Sequence, residues 1–146
     1  MLKLKTAKTI LVLSLFISLQ LYADSASADW FLSSDTRALI AKAEAGDIEA
    51  QLRVGGAYDS GKGAPRDKAT AMKWYRMAAE ASNAEAQNSM GSILQEEKKY
   101  AEAMSWYEKA AAQGHAQATN NQAYLYDLGL GVPQDRKKGF DLYSRA

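Results

Sequence analysis

The feature that most constrains the fold of this chain is a short motif that occurs three times. It begins at Gly46, recurs at Ser82 after 36 residues and recurs at Gly114 after 32 residues. A period in this range is typical of stacked helical hairpins, because one hairpin buries its apolar face only against its neighbours. The motif therefore predicts an all-α protein. Its repeats are expected at about 46–81, 82–113 and 114–146, the last incomplete.

Small and aromatic residues keep the same register in each copy. The first helix of each predicted hairpin carries a small residue at one position, and the second helix carries a pair of large residues. These positions are Gly55, Gly91 and Ala123 on the first helices, and Trp74-Tyr75, Trp106-Tyr107 and Leu142-Tyr143 on the second. Because helices approach closely only where facing side chains are small, we expect the aromatic rings to fill the space between consecutive repeats.

The length of the loop inside each hairpin explains why the motif recurs after 36 residues and then after 32 residues. Gly61 and Gly129 are placed to end a helix in the left-handed conformation, and Asp67 and Asp135 are placed to cap the next helix. The second copy has a shorter charged turn instead, and a loop can lose residues without displacing its helices. Helices are predicted over 35–45, 47–59, 67–81, 84–96, 100–113, 116–127 and 135–146.

The amino-terminal segment has the pattern of a secretory signal peptide. Three lysines precede an apolar run from Ile10 to Leu21, and the small residues Ala26-Ser27-Ala28 follow. This order predicts a signal peptide over 1–28 that is cleaved between Ala28 and Asp29. The mature protein would then be periplasmic or secreted, and it would contact a membrane only transiently through the signal peptide.

An uncleaved membrane anchor is the alternative interpretation of this segment. The apolar run is shorter than the roughly 20 residues that a membrane-spanning helix needs, which favours cleavage. Residues 29–45 would form a linker and an N-terminal capping helix ahead of the repeat domain at 46–146.

Together these motifs resemble the Sel-1-like repeat, a relative of the tetratricopeptide repeat. The most complete copy contains Gly46-Asp47-Ile48-Glu49-Ala50-Gln51, Gly55, Tyr58, Gly61-Lys62-Gly63, Trp74-Tyr75 and Ala78-Ala79. The resemblance covers roughly 46–146, and 35–45 resembles the second helix of a degenerate leading repeat. It implies a right-handed superhelical solenoid of antiparallel hairpins. It also implies a bacterial exported protein that binds other proteins.

The resemblance also implies where a partner would bind. In the tetratricopeptide register, the first helices would line a concave groove with Glu49, Leu52, Gly56, Asp59, Glu85, Asn88, Ser92, Gln95, Gln117, Asn120, Tyr124 and Asp127. Of these we select Asn88, Ser92, Gln95, Asn120, Tyr124 and Asp127 as the partner-binding residues. None of the twelve is basic, which argues against a clamp for a peptide's C-terminal carboxylate. The same positions are also what a solvated helix surface would show.

The chain offers little chemistry for catalysis. It has no cysteine and a single histidine, His115, so thiolate chemistry is excluded and a transition-metal site would depend on carboxylates. The net charge of +1 provides no basic stripe for nucleic acid. We therefore expect no catalytic residue, no metal, no cofactor and no nucleic-acid partner.

Three functions remain open from the sequence. The first is an adaptor that binds a protein or peptide. The second is a self-associating structural protein of the cell envelope, since no capping helix follows the last predicted helix. Truncation of a longer array is the other explanation of this feature, and the one that we favour. The third is a cell-wall-directed hydrolase that uses carboxylates.

Overall fold

A computed structural model describes residues 31–146, which form seven helices and no strand. The predicted signal peptide and its cleavage site lie outside these residues. The helices are α1 (Ser34–Glu44), α2 (Ile48–Ser60), α3 (Lys68–Glu80), α4 (Ala84–Glu96), α5 (Tyr100–Ala111), α6 (Ala116–Leu128) and α7 (Arg136–Tyr143). Within the described part of the chain, no helix is both long and apolar enough to cross a membrane.

Each helix packs against the next one in chain order. Helices α2/α3, α4/α5 and α6/α7 form three antiparallel hairpins, and α1 packs against α2 as the second helix of a leading repeat would. The predicted fold class, a right-handed superhelical solenoid of helix hairpins, is confirmed.

The predicted helix boundaries agree with the structure to within two residues, apart from the end of the last helix. Helix α7 ends at Tyr143, three residues earlier than predicted. The chain turns there, because the Arg145 N–H donates to the Leu142 carbonyl instead of continuing the helical pattern.

The repeated motif begins each first helix with a side-chain cap. Asp47 accepts a hydrogen bond from the Ala50 N–H at 2.9 Å, and the equivalent Asn83 accepts one from Ala86 at the same distance. Such caps contribute about 1 kcal/mol each, because they satisfy a backbone donor that has no partner within the helix.

Asp67 caps α3 as predicted, and its carboxylate accepts bonds from the Thr70 hydroxyl at 2.6 Å and from two backbone N–H groups. The bond from the Thr70 side chain is the main cause that lowers the pKa of Asp67 below 3.8. Asp67→Ala should therefore lower the free energy of unfolding by about 1 kcal/mol near neutral pH.

The contribution of Asp67 should depend on pH in one direction. Because its pKa is lower in the folded chain, the stabilisation is complete above pH 3.8 and is lost as the pH falls through the folded pKa. Urea titrations of the Asp67→Ala and Asp67→Asn variants at several pH values check this. The Asp67→Asn variant would keep a cap without titrating, so the gap between these two variants should stay constant, while the gap between wild type and Asp67→Ala closes in acid.

The hairpins pack closely because small residues face aromatic rings. A Cβ on Gly91 would lie 2.5 Å from the Tyr107 ring, and a Cβ on Gly55 would lie 2.6 Å from the Tyr75 ring. Each tyrosine ring thus packs first against the glycine of its own repeat rather than filling only the space between repeats. Its hydroxyl extends beyond that glycine to the surface of the first helices.

The Gly-x-Gly loops pack onto the start of an earlier helix. The Gly63 carbonyl accepts from the Ser33 N–H at 2.8 Å, beside the first turn of α1. Gly131 lies against Tyr100 and Ala101 at the start of α5. Gly61 and Gly129 end α2 and α6 in the left-handed conformation, as predicted.

Candidate partner-binding face

Buried glutamines fix how the first helices are rotated. Gln51 donates to the Ala43 carbonyl at 3.1 Å, and the equivalent Gln87 donates to the Ala79 carbonyl at 3.0 Å. Each bond joins a first helix to the end of the preceding second helix. The glutamine side of α2 and α4 is therefore held inside the stack, and the opposite side faces outward.

The third repeat replaces this glutamine with Thr119, whose hydroxyl bonds locally to the His115 carbonyl at 3.4 Å. Gln113, at the end of the second repeat, donates to the Gln87 side chain at 2.8 Å. Both glutamines belong to the second repeat, so this bond ties the end of α5 to α4 and supports the bond from Gln87 to Ala79.

The side of α2, α4 and α6 that bears the twelve predicted groove residues is called the inner face below. Two of its predicted residues are used for packing. Asn88 is only 8% exposed, and its side-chain oxygen accepts from Asn121 at 3.0 Å. Leu52, its equivalent in α2, packs against the central apolar core. At this position Asn88 joins α4 to α6, and Leu52 contributes to the core.

Ser92 and Gln95 lie around one buried tyrosine. The Tyr107 hydroxyl donates to Gln95 Oε1 at 3.0 Å and lies 3.4 Å from Ser92 Oγ, which itself donates to the Asn88 carbonyl. Burial is the main cause that raises the pKa of Tyr107, so the phenol stays protonated and acts as a donor. The amide N–H groups of Gln95 remain available to a partner.

The third repeat presents the most exposed part of the inner face. Tyr124 is 42% exposed, whereas the equivalent positions carry Gly56 and Ser92. Asn120 is half-buried on the same helix, and the Asp127 side chain is 46% exposed with Arg136 Nε 4.0 Å from its carboxylate. The structure thus brings an aromatic ring, an amide and a carboxylate together on α6.

His115 has a defined structural role that the sequence did not reveal. Its Nδ1 accepts from the Ala118 N–H at 3.2 Å and caps α6, at the position that Asp47 and Asn83 occupy in the other repeats. Because Nδ1 accepts, Nε2 carries the proton and donates to Glu85 Oε2 at 2.9 Å. The register of the caps could have revealed this role, because His115 stands where Asp47 and Asn83 cap the first helices of the other repeats.

Sequence reasoning also missed Asn121 and the tyrosine hydroxyls below the inner face. Asn121 precedes the glutamine Gln122 and shows no repeated identity, since its equivalents are Arg53 and Ser89. Among residues 31–146, no group of three or more histidine, cysteine, aspartate or glutamate side chains could hold a metal ion.

Comparisons with known proteins agree with the observed repeat. The model of the Sel1 repeat family matches residues 48–83, 84–115 and 116–146. These three segments correspond to α2/α3, α4/α5 and α6/α7. No match is found among curated proteins.

Two solved structures are similar to this chain. One is c5321, described as a protective antigen present in uropathogenic Escherichia coli strains that displays an SLR fold; it is 32% identical, with a TM-score of 0.72 over 77% of this chain and 25% of c5321. The other is a Sel1 repeat protein from Oxalobacter formigenes, 34% identical, with a TM-score of 0.69 over 75% of this chain and 46% of that protein. This chain thus spans less than half the length of either.

Proposed function

Because this chain belongs to the Sel1 repeat family, we propose that it is an exported adaptor that binds a protein or peptide on its inner face. Sel1 repeat proteins generally mediate protein–protein interactions, and the repeat fold is generally a non-catalytic scaffold. The pattern of the segment over 1–28 supports export, with cleavage between Ala28 and Asp29 and a periplasmic or secreted location.

The observation that carries this proposal is the exposed ring of Tyr124 among polar groups that have unused hydrogen-bonding capacity. An aromatic side chain that is 42% exposed on a rigid helix can bury large area on binding at a small entropic cost. The Gln95 amide and the Asp127 carboxylate lie on the same face and can bond an extended backbone.

The six predicted binding residues divide into two roles in this proposal. Asn120, Tyr124, Gln95 and Asp127 contact the partner directly. Asn88 and Ser92 support them, since Asn88 holds α6 through Asn121 and Ser92 lies beside Tyr107.

Replacing both Asn120 and Tyr124 with alanine should abolish capture of the natural partner, because it removes the most exposed anchor of the inner face. The experiment is a crosslinking pull-down from cell-envelope extract, with the purified protein as bait. Loss of a truncated aromatic anchor at the centre of an interface costs about 2 kcal/mol or more, a drop in affinity of at least roughly thirtyfold.

The matched control for this experiment replaces Met77 and Glu80, which are exposed on the second helix α3, with alanine. Circular dichroism must show that both double variants stay helical. Equal capture by wild type and the folded Asn120→Ala, Tyr124→Ala variant would show that the binding face is elsewhere.

Self-association is the second candidate function, and a specific observation favours it. Phe140 is 71% exposed and Tyr143 is 46% exposed, whereas their equivalents Met104 and Tyr107 are buried. A second copy of the chain could cover these residues. Sedimentation over a range of concentrations tests this, and a monomer at every concentration would argue against it.

A further inference from the structure

In the repeat register, the position of Arg53 faces the preceding repeat. The equivalent residue of α4 is Ser89, which bonds to the Tyr75 hydroxyl of the preceding second helix. The equivalent residue of α6 is Asn121, whose side-chain amide donates to Asn88 of the preceding first helix at 3.0 Å. The position of Arg53 therefore lies on the leading side of each first helix, the side that contacts the repeat before it.

The leading side of α2 lacks the contacts that the later repeats make. Within residues 31–146 no first helix precedes α2, and Leu39 of α1, which corresponds to Tyr75, has no hydroxyl. Arg53 is exposed and forms no ion pair with another residue of this range. A position that joins two repeats elsewhere in the stack is thus available to another molecule in the first repeat.

A depression of about 350 Å³ lies beside Arg53, between α1, α2 and the loop that follows α2. Gly56 lines it, and a Cβ on Gly56 would meet only the Tyr75 hydroxyl, at 3.6 Å. The equivalent positions of the later repeats carry the side chains of Ser92 and Tyr124. The depression therefore opens onto the inner face at a point where the later repeats have side chains.

Arg53 and Lys62 make this depression positively charged. Both side chains line it, and Lys62, like Arg53, forms no ion pair within residues 31–146. Asp35 is the single carboxylate among the described lining residues, and its Oδ1 lies 3.4 Å from the Ser34 hydroxyl. The remaining lining residues are uncharged, so two cations and one carboxylate give the depression a net charge of +1.

The sequence did not reveal this charge, because the twelve predicted groove positions follow the tetratricopeptide register. Arg53 lies on the leading side of α2 and Lys62 lies in the loop, so neither belongs to those twelve positions. The lack of a cation at the twelve positions therefore does not exclude a carboxylate site beside them. The lining contains no asparagine or glutamine to bind the backbone of a chain end, which favours a side-chain carboxylate over a C-terminal one.

We propose that this depression binds the carboxylate of an aspartate or glutamate side chain in an extended partner segment, with Arg53 and Lys62 as its charge partners. The guanidinium group of arginine can donate two parallel N–H bonds to one carboxylate, and the lysine ammonium adds a mobile point charge. One acidic side chain also balances the net charge of the lining. This inference rests on the proposed function, because it assigns one contact of the segment that binds the inner face.

Selection of short random peptides displayed on phage, with the purified full chain as target, tests this inference. The peptides are joined to the coat protein at their C-terminus, so they have no free carboxylate there. Peptides selected by the wild type should share an aspartate or glutamate at one position. The site variant is Arg53→Gln with Lys62→Gln. Its matched control is Arg76→Gln with Lys137→Gln, which removes the same charge from exposed positions on α3 and α7.

A selected peptide, synthesised with a fluorescent label and an amidated C-terminus, should bind the site variant about fivefold to tenfold more weakly than the wild type, because two partly exposed ion pairs are lost. The control variant should bind it as the wild type does. Replacing the acidic residue of the peptide with the corresponding amide should reduce binding to the wild type by a similar factor and leave binding to the site variant unchanged.

The possible failures separate this inference from the proposed function. Selected peptides that lack an acidic residue but need Tyr124 would overturn the inference and leave the adaptor function standing. An equal loss in the site and control variants would show that only net charge matters, which also overturns it. Binding that requires a free C-terminal carboxylate would assign the depression to a chain end and overturn the side-chain assignment. If no peptide is enriched over an unrelated target, the inference fails, and if the envelope pull-down fails as well, so does the proposed function.

Discussion

Replacing Tyr107 with alanine is expected to lower the free energy of unfolding by about 3–5 kcal/mol, the range for deleting a buried aromatic side chain. Tyr107 is 1% exposed and is among the largest fully buried side chains of the described chain. Its ring packs where Gly91 has no side chain, so neighbouring atoms cannot fill the resulting cavity without moving α4. Chemical denaturation followed by circular dichroism measures this change.

The repeat itself provides the control for Tyr107. Tyr143 occupies the same register position in the third repeat but is 46% exposed. Tyr143→Ala should therefore lower the free energy of unfolding by about 1 kcal/mol or less. A third variant, Tyr107→Phe, removes only the hydroxyl with its contacts to Gln95 and Ser92 and should cost about 1 kcal/mol.

The comparison of these variants shows whether the loss of stability depends on the burial of the tyrosine or only on the removal of a tyrosine side chain. Similar losses for the Tyr107 and Tyr143 variants would mean that another molecule covers the third repeat in solution, as self-association would require. Loss of Tyr107 without effect on stability would contradict the packing of α4 against α5.

Most of the fold could be predicted because its determinants are local and repeated. Caps such as Asp67 and helix-ending glycines such as Gly61 act within a few residues, so they can be recognised at each occurrence. The period then aligns the copies, and the small residue opposite the aromatic pair identifies the packed faces. The structure bears out each of these features.

The binding face was harder to predict, because residues at equivalent positions of the repeat do not necessarily make the same contacts. Asn88 and Asn120 are equivalent in sequence, but Asn88 is buried against Asn121 of the next first helix, whereas Asn120 is half-buried. Whether such a position binds a partner or a neighbouring helix depends on which repeat it belongs to. The hydrogen-bond partner of His115 could not be predicted either, because Glu85 lies 30 residues away and no sequence motif links the two residues.

A substitution in the Gly-x-Gly loop of the third repeat is expected to have the second large effect on the free energy of unfolding. Gly131 has a φ of +69°, and a Cβ there would lie 2.5 Å from the Ala101 nitrogen and 2.6 Å from the Tyr100 carbonyl carbon. Gly131→Ala should lower the free energy of unfolding by about 2–4 kcal/mol. Roughly 1 kcal/mol of this arises from the left-handed backbone, and roughly 1–3 kcal/mol from overlap with backbone atoms that cannot rotate away.

Gly114→Ala is the matched control, because it places alanine in the same left-handed backbone conformation but creates no overlap with neighbouring atoms. Gly114 has a φ of +81°, and nothing lies within 4 Å of its Cβ position. Its replacement should therefore cost only about 1 kcal/mol. Denaturant titrations of the two variants measure the difference between them, which isolates the contact of the loop with α5. Equal losses would mean that the Gly-x-Gly loop is not held against α5 and that its glycines serve only the turn. A larger loss for Gly131 would instead show that the loop joins the third repeat to the second through its contact with the start of α5.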